Sequence, residues 1–317
     1  MDTAATLFGT LLPALGVGAA AGAHTATWGM YKDAPHEGFT WRKYGRSIVL
    51  GTLLGPAVAT LAGLDATRAA GAVVLFGLVY ALERALVEFY KTFVREEDQS
   101  KYTIPMQFAV FGKPVLDRRR RWAVATGVAA VALALAFWTA HLDAASLPLP
   151  VLLLIGSAAG WVSAIGGAWK DAPIEGFETF KFFRSPAITG TYAFLISRLD
   201  GRMLVVALCA LGYTVATIET YKTFFFPSKP RGKFANKPIA YPEWLRLRLR
   251  FVPLYVGVWA FIVTAFALAL SSLPARQERE VGAGGRPAAA GVLRVRHEIK
   301  AEHTARPSSR EDEGEIE

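Results

Sequence analysis

The sequence predicts an all-α integral membrane protein with about eight transmembrane helices, arranged as two parallel tandem four-helix repeats. Two observations lead to this prediction. The 317-residue chain is 53% hydrophobic and only 19% charged, and its mean hydropathy is positive, which is unusual for a soluble domain. In addition, one charged motif occurs twice, each time beside a long apolar segment.

Apolar runs of about 20 residues are long enough to cross a hydrocarbon core of about 30 Å. Six such runs are predicted spans: residues 8–31, 68–90, 122–141, 149–169, 203–221 and 251–273. Two shorter runs, residues 48–64 and 186–197, bring the number of predicted spans to eight. The alternative is that each short run is re-entrant.

The distribution of Lys and Arg favours eight spans. Four of these basic residues lie in residues 32–46, eight in 91–121, three in 170–184 and eight in 222–250. If both short runs cross, all these loops share one side of the membrane, and the opposite short loops hold only Arg68, Arg198 and Arg202. We expect the protein to lie in the cell (inner) membrane. By the positive-inside rule, the basic loops are then cytoplasmic and both termini lie on the outer side.

The charged motif reads KDAPHEGFTWRKYGRS at residues 32–47 and KDAPIEGFETFKFFRS at residues 170–185. At an offset of 138 residues, eleven of the nineteen positions from Gly29 to Ser47 are identical. A second motif follows as EFYKTF (88–93) and ETYKTF (219–224), and a third as GKPV (112–115) and NKPI (236–239). The recurring order predicts membrane repeats at residues 1–144 and 145–274. Four spans per repeat make the repeats parallel, and the polar residues 275–317 are predicted to form a disordered tail.

The first motif predicts an anion site at the membrane surface. Its proline and glycine indicate a turn that the aspartate caps, followed by a short helix in the headgroup region. Ser185 followed by Pro186 predicts the start of the next helix. Because helix N-termini beside basic side chains bind phosphate, we predict anion-binding residues at Lys32, Lys43, Arg46, Ser47, Lys170, Lys181, Arg184 and Ser185.

The acidic residues of the first motif are candidate metal ligands. Mg²⁺ usually takes one or two carboxylates together with phosphate oxygens, so the motif predicts a Mg²⁺ site at Asp33, Glu37, Asp171 and Glu175. In the alternative interpretation, the aspartate caps a turn and the glutamate pairs with a neighbouring lysine.

The second motif predicts a further set of site residues: Glu88, Tyr90, Lys91, Glu219, Tyr221 and Lys222. Tyrosine and lysine alone are typical of a membrane anchor. A glutamate near a helix C-terminus is disfavoured by the helix dipole and by desolvation unless it is paired. We therefore expect each glutamate to contact the other motif.

Other site chemistries have little support. The single cysteine, Cys209, lies in a predicted span, and His36 is replaced by Ile174 in the second copy, so neither a cysteine-based metal site nor a catalytic histidine is assigned. The net charge of +9 comes mainly from the basic loops, which fits anionic membrane lipids or a phosphate-bearing small molecule or lipid better than nucleic acid.

Three functions are compatible with these features. The layout of two acidic motifs four spans apart resembles that of UbiA-type prenyltransferases, but Asp-x-x-x-Glu differs from their Asn-Asp-x-x-Asp pattern, so no family is assigned. The first hypothesis is an enzyme that acts on a lipid-linked phosphate or diphosphate at the cytoplasmic face. The second is a transporter or lipid-handling protein with parallel repeats, and the third is a non-catalytic membrane scaffold.

Overall fold

The computed structural model describes residues 2–225 and 233–273, which are mostly helical. The first half (residues 2–144) contains α1 (Asp2–Glu37), α2 (Trp41–Ala62), α3 (Ala69–Phe89) and α4 (Arg118–Ala140). The second half (residues 145–273) contains α5 (Leu149–Glu175), α6 (Thr179–Ser197), α7 (Met203–Thr220), the short α8 (Trp244–Leu247) and α9 (Val252–Ser271). The predicted tail, residues 275–317, lies outside the described residues.

Shorter elements connect these helices. Turns of π-helix, Tyr90–Val94 and Tyr221–Phe225, extend α3 and α7, and a 3₁₀ turn, Arg248–Phe251, joins α8 to α9. Strands β1 (Ala109–Val110) and β2 (Lys113–Pro114) form a small antiparallel hairpin.

Six helical segments among the described residues are long and apolar enough to cross a membrane, which fits a multi-pass membrane protein. They are Trp41–Ala62, Ala69–Val94, Arg118–Ala140, Leu149–Glu175, Met203–Phe225 and Trp244–Ser271. These include the shorter predicted run 48–64 and five of the six longer runs. The predicted runs 8–31 and 186–197 lie in α1 and α6, which are not among the six.

The predicted turn at the proline of the first motif is wrong. Helix α1 continues through Pro35 to Glu37, and α5 continues through Pro173 to Glu175. A proline removes only one backbone hydrogen bond, and each helix ends two residues after it. The chain instead turns at Gly38 and Gly176, whose φ angles of 72° and 83° favour glycine.

The predicted helix start at Ser185 is also wrong. Helix α6 begins at Thr179, and Ser185 and Ser47 are buried inside α6 and α2. In α2, Thr40 follows the glycine turn and its Oγ1 accepts a hydrogen bond from Lys43 N at 3.3 Å, so the helix starts six residues before Ser47. The predicted headgroup-level helices are therefore continuous with the apolar segments that follow them.

Close glycine contacts hold the helices together. Helices α1 and α2 form one closely packed pair and α5 and α6 another, while α3 packs against α7. A Cβ atom on Gly77 of α3 would lie 2.3 Å from the Sγ of Cys209, and one on Gly212 of α7 would lie 2.0 Å from the carbonyl oxygen of Gly77. Only glycine permits helices to approach this closely. The backbones of α3 and α7 are therefore in direct contact at these glycines.

The loops that follow α3 and α7 each cross to the other half. Trp169 Nε1 of α5 donates a hydrogen bond to the carbonyl oxygen of Ala109 at 3.2 Å. In the opposite direction, Tyr241 N donates to the carbonyl oxygen of Pro35 in α1 at 2.9 Å. Gly112 and Asn236, which align in the third motif, have φ angles of 77° and 60°. The crossing places all three motifs at one end of the helices.

Candidate anion-binding site

A cavity of about 170 Å³ lies among α5, α6 and α7 in the second half. Its lining joins the first and second motifs of this half, because it includes the predicted site residues Asp171, Lys181, Arg184, Ser185, Glu219 and Lys222. The rest of the wall is largely formed by small or apolar side chains of α5 and α7, among them Ala164, Ala168 and Val215. The cavity is therefore charged at the end of the helices and apolar further along them.

Ion pairs organise the charged end of the cavity. Lys181 Nζ lies 3.3 Å from Asp171 Oδ2 and 3.2 Å from Glu175 Oε2. Burial disfavours the charged lysine, but these two carboxylates outweigh it and raise the pKa of Lys181. Lys222 Nζ lies 3.6 Å from Glu219 Oε1, and the Arg184 guanidinium lies over the ring of Tyr221 at 5.5 Å. Three cations and the carboxylates of Asp171, Glu178 and Glu219 thus line one cavity, and the cations can bind phosphate oxygens.

In the first half, aromatic side chains cover the equivalent helix face. Trp244 stacks on Phe39 with ring centroids 4.6 Å apart, and Phe251 lies 5.1 Å from Tyr44. A Cβ on Gly38 would lie 3.2 Å from the ring of Tyr241, whereas one on Gly176 would meet no atom of the described residues within 4 Å. The covered residues Ala26, Met30, Ala34, Phe39 and Tyr44 align with the cavity residues Ala164, Ala168, Ala172, Phe177 and Phe182.

A lysine from the second half neutralises the acidic pair of the first half. Lys233 Nζ lies 2.9 Å from Asp33 Oδ2 and 3.1 Å from Glu37 Oε1. Burial disfavours the charge on Lys233, but the two carboxylates raise its pKa above the usual value. Burial likewise opposes ionisation of Glu37, yet Lys233 and Lys43, whose Nζ is 3.3 Å from Glu37 Oε2, lower the pKa of this carboxyl.

The glutamates of the second motif both form ion pairs. Lys32 Nζ of the first half lies 3.5 Å from Glu219 Oε2. Glu88 Oε1 lies 3.0 Å from Lys91 Nζ and 3.7 Å from the Arg84 guanidinium, both in its own half. Glu219 therefore contacts a first-motif lysine of the other half, whereas Glu88 pairs within its own half.

The remaining predicted site residues lie outside the cavity. Lys170 Nζ lies 3.9 Å from the Sδ of Met106. Arg46 is exposed, as is Tyr90, which is 48% exposed, and Tyr221 contributes its ring to the contact with Arg184.

Three charged residues of this region are not among the predicted site residues. Arg84 and Glu83 form a buried ion pair with a separation of 3.0 Å, and Arg84 lies over the ring of Trp28. Neither residue recurs in the second half, where Thr214 and Val215 align with Glu83 and Arg84. Lys233 lies just outside the third motif, and Ala109 is its aligned counterpart.

The predicted metal ligands are paired with lysine. Within residues 2–225 and 233–273, no group of three or more His, Cys, Asp or Glu side chains is arranged to hold a metal ion. The ammonium groups of Lys233 and Lys181 lie at the two acidic pairs instead.

Comparison of the chain with protein-family models, with curated proteins and with solved structures gave no match. The function is therefore argued from the site itself.

Proposed function

We propose that the protein is a membrane enzyme that acts on a lipid-linked phosphate or diphosphate, with the cavity of the second half as its substrate site. The observation that carries this proposal is the division of the cavity into a charged end and an apolar end. A phosphate headgroup fits the charged end and the attached hydrocarbon fits the apolar end. Convergent polar groups in a mostly apolar cavity are typical of ligand sites.

The charged end supplies the groups that phosphate chemistry requires. Lys181, Arg184 and Lys222 neutralise phosphate oxygens and stabilise the charge that builds up during transfer. Asp171 and Glu219 line the same cavity, so either carboxylate can accept a proton from an attacking hydroxyl or water. A simple lipid anchor needs the cations but does not need the two carboxylates.

Mg²⁺ enters this proposal as an ion carried by the phosphate ligand. Asp171 and Glu175 offer the carboxylate oxygens that Mg²⁺ prefers. In the structure, the ammonium group of Lys181 forms ion pairs with both of them. The ion and the Lys181 ammonium therefore compete for the same pair. We assign the ion to the second half, because the equivalent acidic pair in the first half is held by two lysines, Lys233 and Lys43.

The proposal includes a duplicated architecture of eight spans, with α1 and α6 added to the six most apolar helical segments. Repeats at residues 1–144 and 145–274 are supported by π-helical turns at both second motifs, by the matching positive φ angles at Gly112 and Asn236, and by the crossed loops. In this arrangement the motif loops face the cytoplasm. The second half contains the open site, and contacts from the first half stabilise it.

The transporter hypothesis has less support. Transporter sites usually lie near the midplane between repeats, but here α3 and α7 are in close contact at Gly77 and Gly212. The cavity lies instead at the helix ends, where the motifs meet.

The test is consumption of phosphate-bearing lipids by protein reconstituted in liposomes, followed by mass spectrometry of the extracted lipids. We expect Asp171→Asn to abolish turnover and the matched variant Asp33→Asn to retain it, because only Asp171 lines the cavity. Equal turnover in both variants and the unmodified protein would contradict the role of Asp171. Retained lipid binding without consumption of any lipid phosphate would contradict the assignment as an enzyme.

A further inference from the structure

The cavity has an apolar part beyond the charged end at which we place the phosphate. This inference rests on the proposed function and concerns the other end of the ligand. We propose that the apolar wall formed by α5 and α7 is a binding site for one hydrocarbon chain, which extends from the phosphate toward the middle of the membrane.

The position of the wall fits this role. Ser163, Ala164, Gly167 and Ala168 of α5 line the cavity together with Val215 of α7. Ser163 precedes Asp171 by eight residues, which corresponds to about 12 Å along a helix. The cavity therefore extends from the charged helix end into an apolar span, as a chain attached to a phosphate would.

In the first half, the equivalent wall is packed against apolar side chains, so a wall of this kind can bind apolar groups. There, Trp244 and Phe251 cover it, and α9 packs against α1 and α3. Helix α4, which holds in the first half the place that α9 holds in the second, packs on α7 and has no extensive contact with α5. Its apolar side chains, such as Leu133 and Phe137, are mostly exposed. The wall of α5 is thus left open beside the phosphate-binding end.

One residue difference makes room for the chain. Ala168 aligns with Met30, which is buried in the covered face of the first half. A methionine side chain at position 168 would project into the cavity, whereas alanine leaves that volume free. We therefore infer that Ala168 sets how much hydrocarbon the site accepts.

The test compares two probes on the purified full chain: a long-chain alkyl phosphate and inorganic diphosphate. In Ala168→Met we expect the dissociation constant of the alkyl phosphate to rise at least about tenfold while that of inorganic diphosphate is unchanged. Ile165→Met is the matched control, because Ile165 is 57% exposed on the same helix and does not line the cavity. If Ala168→Met fails to fold, Ala164→Leu takes its place.

The outcomes separate this inference from the proposed function. Unchanged alkyl phosphate binding in Ala168→Met, or the same loss in Ile165→Met, would overturn the hydrocarbon site. Equal loss of both probes would also overturn it, because the substitution would then act on the phosphate end. If Lys181→Ala binds both probes as tightly as the unmodified protein, the phosphate site itself is wrong, whatever the result at Ala168.

Discussion

The Lys32 ammonium lies 3.5 Å from the Glu219 carboxylate, so the first motif of one half is joined to the second motif of the other. Glu219 lines the cavity, whereas Lys32 does not. Both side chains are largely shielded from water, at 28% and 16% exposure, where an ion pair is stronger than on an open surface. The contact places Lys32 of the covered half beside a carboxylate that lines the cavity of the other half.

Replacing Lys32 therefore tests the link between the halves. We expect Lys32→Met to weaken binding of a long-chain alkyl phosphate about tenfold, or about 1.4 kcal/mol, because Glu219 then competes with the ligand for Lys222. Lys32→Arg keeps the charge and should bind nearly as tightly as the unmodified protein. Titration of the purified variants measures both constants, and identical weakening by Met and Arg would contradict a role of the charge.

Replacing Lys233 tests the closed acidic pair of the first half. In Lys233→Ala, Asp33 and Glu37 lose their shared cation while only 28% and 19% exposed. We expect the free energy of unfolding to fall by about 1–3 kcal/mol, measured as a lower Tm in detergent. The control is Lys237→Ala, because Lys237 is only half-buried and donates to the carbonyl oxygen of Ser100 instead of to a carboxylate. An equal change in both variants would contradict the special position of Lys233.

Ionisation of Glu37 makes the stability of the folded protein depend on pH. Its pKa is lowered in the folded protein, so its ionised form contributes stability above its unfolded pKa of about 4.3, and this contribution is lost as the pH falls through the lowered value. We expect Glu37→Gln to have a lower Tm than the unmodified protein at neutral pH, and the difference to shrink below about pH 4. A difference in Tm between the two proteins that stays constant as the pH falls would show that ionisation of Glu37 does not contribute to stability.

The glycines between α3 and α7 should resist even a methyl group. We expect Gly77→Ala and Gly212→Ala to reduce the yield of folded protein strongly, because each added Cβ would lie within 2.3 Å of the facing helix. Gly127→Ala in α4 meets nothing within 4 Å and should be neutral. The measurement is the fraction of monodisperse protein in size-exclusion chromatography, and normal yields for the first two variants would contradict the packing.

The sequence predicts the apolar helices and the motifs well, because span length and motif identity are local properties. The duplicated motif can be read directly from the sequence, but the helix ends at Glu37 and Glu175 cannot, since a helix usually ends before a proline and here continues through it. The open site is harder still to predict. Which half is open depends on Trp244, Phe251 and Lys233, which lie far along the chain and contact the first half instead of their own.

The central claim is that the second half binds a phosphate-bearing lipid and the first half does not. Native mass spectrometry of gently purified protein, with Mg²⁺ and with chelator, tests it through two matched double variants. We predict that a phosphate-bearing lipid travels with the unmodified protein and with Lys43→Ala/Arg46→Ala, but is lost in Lys181→Ala/Arg184→Ala. Retention in the latter variant, or loss in both, would contradict the account.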